Sequence, residues 1–301
     1  MSGKRILGVL CVVSMVGMSA GAVPQPGVAQ GLDLSQLGNI VQQATNELAV
    51  QINLAGRQRM LTQKMSKEAL LLALKVQPEE NATRLRRTMK MFDRTLKGLM
   101  KGDDELKLVP ANDPAILQRL RNVQVLWDGF WPLLEELLAG DVSTAMLVGI
   151  AESNPALLAE MNDVVKMFER AAGADTAEAA VVINLAGRQR MLTQKMLKEF
   201  LLVRLAIETH ENRQRALKTM QLFGDTLQAL VKGDAKQGIP APPNEQLQQQ
   251  LQKVQELWSR YSAMLRKGLQ DADVDLAALD ALSLQTLQEM NRAVKMYEEA
   301  W

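Results

Sequence analysis

The fourteen residues INLAGRQRMLTQKM occupy positions 52–65 and recur, unchanged, at 183–196 of a 301-residue chain. Each copy carries two arginines and a lysine, and neither contains an acid. A guanidinium is a rigid fork of hydrogen-bond donors that matches a small planar oxyanion in two parallel bonds. Arginines with no carboxylate nearby in sequence are therefore candidates for anion binding.

Helical periodicity assigns faces to the segment. Leu54, Leu61, Met65 and Leu72 fall on one stripe and are expected to face a core. Ile52, Ala55, Gly56, Arg59 and Gln63 form a second stripe, with Arg59 about 200° from Leu61 at about 100° per residue. The second copy repeats this with Ile183, Ala186, Gly187, Arg190 and Gln194. Glycine inside a helix costs about 1 kcal/mol relative to alanine. Close approach of another helix is one thing that offsets the cost. The second stripe thus reads as a contact face with an arginine at its centre. If two such faces meet, two guanidiniums about 4 Å apart repel by roughly 4 kcal/mol at an effective dielectric near 20. A planar oxyanion between them removes that repulsion. On spacing alone, pairing of Arg59 and Arg190 with acids on other helices, or their solvation, is an equal alternative. Arg57 and Arg188 read as boundary residues with a possible ligand role, as do Gln63 and Gln194, and Lys64 and Lys195 as solvated.

The repeat extends well beyond the motif. Ile52 and Ile183 stand 131 residues apart, and so do the Lys-Gly-Asp runs at 101 and 232 and the Leu-Trp pairs at 126 and 257. Met161-Asn162 and Met290-Asn291 are offset by 129. Each unit shows four segments of helical period, near 35–76, 79–101, 114–139 and 155–172, then 176–207, 211–232, 244–270 and 284–300. Asp113-Pro114 is a strong helix start. The expected fold is all-α: two tandem antiparallel four-helix bundles over 33–172 and 175–301. A break is expected near Gly173. It would set the bundles side by side, with Arg59 facing Arg190 in an intramolecular pseudo-dimer. A continuous helix would stack them end to end and require a homodimer.

Lys4-Arg5, an apolar run from Ile6 to Met18 and the small residues Ser19 to Ala22 read as a signal peptide over residues 1–22. Its removal takes away two basic residues and no acid, changing the net charge from +1 to −1. The expected location is periplasmic, with anchoring in the inner membrane by an uncleaved signal as the other option. The sole cysteine, Cys11, lies in the signal. The mature chain then has no disulfide, and the usual zinc and haem patterns are absent. His210 sits in a polar turn, no paired carboxylates suggest acid–base chemistry, and methionines fall at core spacing. Neither enzyme activity, a metal, a cofactor nor nucleic-acid binding is expected.

The pattern Ile-Asn-x-Ala-Gly-x-x-Arg-Met, at Ile52–Met60 and Ile183–Met191, resembles the first-helix motif of the NarX/PilJ-type sensor domain. That domain is found in nitrate/nitrite sensor kinases and at the N-terminus of type IV pili methyl-accepting chemotaxis transducers. The resemblance implies a four-helix bundle that binds nitrate or nitrite between two first helices. It implies that Arg59 and Arg190 grip the anion, and that Gly56 and Gly187 let backbone and ligand approach. Family sensors carry a second membrane span and an output module, for which this sequence shows no segment. Two functions are expected to compete: an exported oxyanion-binding sensor protein that works with a membrane-bound signalling partner, and a ligand-free interaction module whose Gly56 and Gly187 faces dock on a receptor, kinase or pilus component.

Overall fold

The computed structural model describes residues 34–171 and 177–300, with side chains described from 47 to 171 and from 181 to 300. Eight helices occur among the described residues: α1 (Leu34–Ala73), α2 (Pro78–Lys101), α3 (Pro114–Leu138), α4 (Thr144–Ala171), α5 (Ala177–Arg204), α6 (Thr209–Lys232), α7 (Glu245–Leu269) and α8 (Leu276–Ala300). No strand occurs among them beyond two isolated bridges, Asp103 to Leu108 and Asp234 to Ile239. The proposed signal peptide and the junction at Gly173 lie outside the described residues.

By contacts the chain divides at residue 40, and residues 41–301 form one unit. Within it α3 runs along α4, α7 along α8, and α5 along α6 and α8. Short turns join α3 to α4, α5 to α6 and α7 to α8, which makes each of these pairs antiparallel. α1 is tied to α2 by Gln58 Nε2 donating to the Phe92 carbonyl (2.8 Å) and to α4 by Gln63 Nε2 donating to Asn154 Oδ1 (2.8 Å). Gln189 repeats the first bond on the Phe223 carbonyl. The cores follow the repeat as well. Trp127 packs on Phe92 at 4.6 Å between ring centroids, and Trp258 on Phe223 at 4.5 Å.

Local signals place most helix ends. Asp113 accepts hydrogen bonds from the Ala115 and Ile116 amides, and Asn244 from that of Leu247. The fourth helix of each bundle starts earlier than periodicity suggests, at Thr144 and not near 155, and at Leu276 and not near 284. Pro155 reads as a start because proline suits the first helical position. Here it lies inside α4, and the helix begins where Ser143 Oγ accepts from the Met146 amide. In the second bundle Asp275 caps the Ala277 and Ala278 amides.

The two cores differ by a size exchange. Phe200 is buried, and a Cβ on Gly268 would stand 2.6 Å from its ring. The corresponding residues of the first bundle are Ala69 and Leu137, so the bulk there sits on the other helix. Replacing Gly268 with leucine, as in the first bundle, is expected to cost about 1–3 kcal/mol by overpacking. Thermal unfolding should show most of that loss recovered in the Phe200→Ala/Gly268→Leu double variant.

Candidate anion site

α1 and α5 bring the two motif copies together within one chain. Both Arg59 Nη2 and Arg190 Nη2 lie within 4 Å of the place a Cβ would occupy on Gly56 (3.4 and 3.8 Å), and the Arg190 Nη2 lies 3.1 Å from that on Gly187. A side chain at either glycine would take the space the guanidiniums use. Ala55 and Ala186 are buried beside them, as are Ile52 and Ile183. The space beside Gly56 is thus taken by guanidinium groups of both copies, and that beside Gly187 by Arg190 of its own copy.

Each arginine is only 4 % exposed, and among the described residues its hydrogen-bond acceptors are amides and not acids. Arg59 Nη2 donates to Asn184 Oδ1 of the other bundle (2.5 Å) and Nη1 to Asn162 Oδ1 of its own (3.4 Å). Arg190 mirrors this, with Nη2 donating to Asn53 (2.8 Å) and Nη1 to Asn291 (3.5 Å). The Nε of each has no acceptor among the described residues. Burial pulls both guanidiniums down to about 10. Glu169 and Glu298 partly counter this from a distance, while Arg190 and Arg188 push Arg59 lower and Arg57 does the same to Arg190. Two buried like charges, each held by its own pair of neutral asparagines, form a site of positive potential with unused donors, which suits a small anion.

A cleft opens on each side. One, of about 470 Å³, is bordered by Arg59, Asn162, Asn184 and Arg188. Its counterpart, of about 530 Å³, is bordered by Arg190, Asn53, Arg57 and Asn291. Arg57 and Arg188 thus stand at the approaches, each beside the opposite bundle's arginine. Gln63 and Gln194 are directed into their own bundles, where they donate to Asn154 and to Ser283 Oγ (3.0 Å).

Some site residues were not evident from the sequence. Asn53 and Asn184 belong to the motif, and Asn162 and Asn291 mark the repeat's register, but nothing local shows that they meet an arginine. Lys64 and Lys195 are not solvated as expected. Each is largely buried and bonds a glutamate one turn on, Glu68 or Glu199, and a threonine on the next helix, Thr88 or Thr219. No group of histidine, cysteine or acidic side chains that could hold a metal occurs among the described residues. Nor is any described helix long and apolar enough to cross a membrane.

Comparison with known proteins adds a family match. The model for the type IV pili methyl-accepting chemotaxis transducer N-terminal domain matches residues 41–152 and 174–284. Methyl-accepting chemotaxis protein McpN of Pseudomonas aeruginosa is 34% identical over 115 residues, covering 38% of this chain and 21% of that protein. Protein PilJ of the same organism is 26% identical over 225 residues, covering 72% of this chain and 31% of its own length. This chain therefore spans about a fifth and a third of these relatives. Among solved structures, the ligand-binding domain of the P. aeruginosa nitrate receptor McpN is 30% identical, with a TM-score of 0.36, over 41% of this chain and 97% of that one.

Proposed function

This chain belongs to the family of type IV pili methyl-accepting chemotaxis transducer N-terminal domains, and on that premise we propose that it is an exported, periplasmic sensor protein that binds a small oxyanion between α1 and α5. The observation that carries this reading is the pair of buried arginines, each of which bonds an asparagine of the opposite motif copy and has an unused Nε. Nitrate and nitrite are the favoured ligands, because a planar ion fits two forked donors and because a relative is named as a nitrate receptor. Arg59 and Arg190 grip the anion. Gly56, Gly187, Ala55 and Ala186 leave it room, and Ile52 and Ile183 wall the site. Arg57 and Arg188 draw it into the clefts.

Binding would act on packing. An anion that neutralises the two guanidiniums favours the state in which α1 and α5 are close, and so shifts how the bundles dock. A membrane-bound signalling partner would read that shift. The competing interaction-module reading needs Gly56 on a free docking face, whereas the space beside Gly56 is taken by the Arg59 and Arg190 guanidiniums.

A thermal-shift screen of the protein without residues 1–22 tests the proposal. Nitrate, nitrite, sulfate, phosphate and chloride are compared at fixed ionic strength. A selective rise with one planar anion, lost in Arg59→Ala and in Arg190→Ala, is the expected result. A flat response to all five would sink the proposal.

A further inference from the structure

The two bundles are not equivalent at a second place. Lys67 and Arg84 of the first bundle close on one carboxylate, Asp280 of α8, at 2.5 and 3.0 Å. Lys67 and Asp280 are both fully buried. By the 131-residue offset the counterparts of Lys67 and Arg84 are Lys198 and Arg215, and by the 129-residue offset of the last helix the counterpart of Asp280 is Ala151. The cations are repeated, but the carboxylate is missing.

Around that position lies a cleft of about 700 Å³ bordered by Ala151, Lys198, Arg215 and Asn154. Lys198 is 6 % exposed, and its ammonium donates to Asn154 Oδ1 at 2.8 Å. No carboxylate forms an ion pair with it among the described residues. Of the three acids bordering the cleft, Glu199 bonds Lys195 and Thr219, Glu208 bonds Arg215 at 2.8 Å, and Glu152 is exposed at the surface. Burial lowers the Lys198 ammonium to about 8. Arg84, clamped on Asp280, is 17% exposed, whereas Arg215 is 51% exposed. Val148, Leu158, Leu202 and Ile207 supply apolar walls.

We propose that this cleft binds a short-chain aliphatic carboxylate, whose head group takes the place that Asp280 fills in the other half of the molecule, between Lys198 and Arg215, while its chain lies on the apolar walls. The cleft adjoins the one at Arg59, with Leu158, Asn162, Lys195 and Arg215 bordering both, while Lys198 and Ala151 border this one and not the other. In the first half the carboxylate is part of the chain, and in the second it is left to a ligand.

Titration calorimetry with acetate, propionate and butyrate at fixed ionic strength tests this. Binding is expected in the wild-type protein and in Arg59→Ala, and at least tenfold weaker in Lys198→Met. Ala151→Asp supplies the missing carboxylate. It should abolish binding and raise the melting temperature with no anion added. Absence of binding to the wild type would overturn the proposal, and so would undiminished binding to Ala151→Asp or Lys198→Met. Because Arg59→Ala is expected to lose the nitrate response and keep this one, the two proposals fail separately.

Discussion

Asp280→Ala is expected to destabilise the protein by about 3–5 kcal/mol, the usual consequence of removing one partner from a buried ion pair. The Asp280 carboxylate holds Lys67 of α1 and Arg84 of α2. Without it the Lys67 ammonium stays in the interior with its charge uncompensated. Arg84 keeps Glu80 at 3.1 Å and suffers less. The same logic predicts rescue. Replacing a buried pair by apolar groups is often close to neutral, so Lys67→Met/Asp280→Ala should regain most of the loss. Urea unfolding of the two single variants and the double variant measures the coupling. If the single and double variants lose equal stability, the pair is not what holds α8 against α1 and α2.

The second large effect is charge reversal at the anion site. Arg59→Glu would put a carboxylate close to Arg190 in place of a second guanidinium. A ligand that binds only the folded state stabilises it by about 2.7 kcal/mol at a hundredfold excess over Kd. That increment should vanish in Arg59→Glu, because the substitution acts as a built-in anion. Without ligand the variant should melt no earlier than wild type, since one of two buried like charges has become a counter-charge. Arg59→Glu/Arg190→Glu restores a like-charge pair of the opposite sign, and should both melt earlier and ignore nitrate. Melting curves with and without nitrate decide it. A nitrate-dependent rise surviving in Arg59→Glu would remove Arg59 from the site.

Asp280 and Arg59 also mark the boundary between what was legible in the sequence and what was not. The all-α fold, most of the turns and the register of the two bundles were legible, because they rest on local periodicity, capping residues and an internal repeat. The arginine-bearing stripe was legible for the same reason: a period of 3.6 residues decides which side chains share a face. A period does not say what that face meets. That Arg59 bonds Asn184, 125 residues away, depends on how the bundles dock, as does the bond from Lys67 to Asp280 across 213 residues.

The sequence alone therefore determined two helical bundles, each presenting a small-residue face with a central arginine. It left open whether these faces would meet in one chain or between two. Only the tertiary structure brought Arg59 to Asn184 and Arg190 to Asn53, gave the guanidiniums amides as partners among the described residues, and left Lys198 without the carboxylate that its counterpart has there. The reason is that helix formation is governed by neighbours three and four residues apart, whereas the charge balance of a buried site is set by whichever distant side chains packing brings to it.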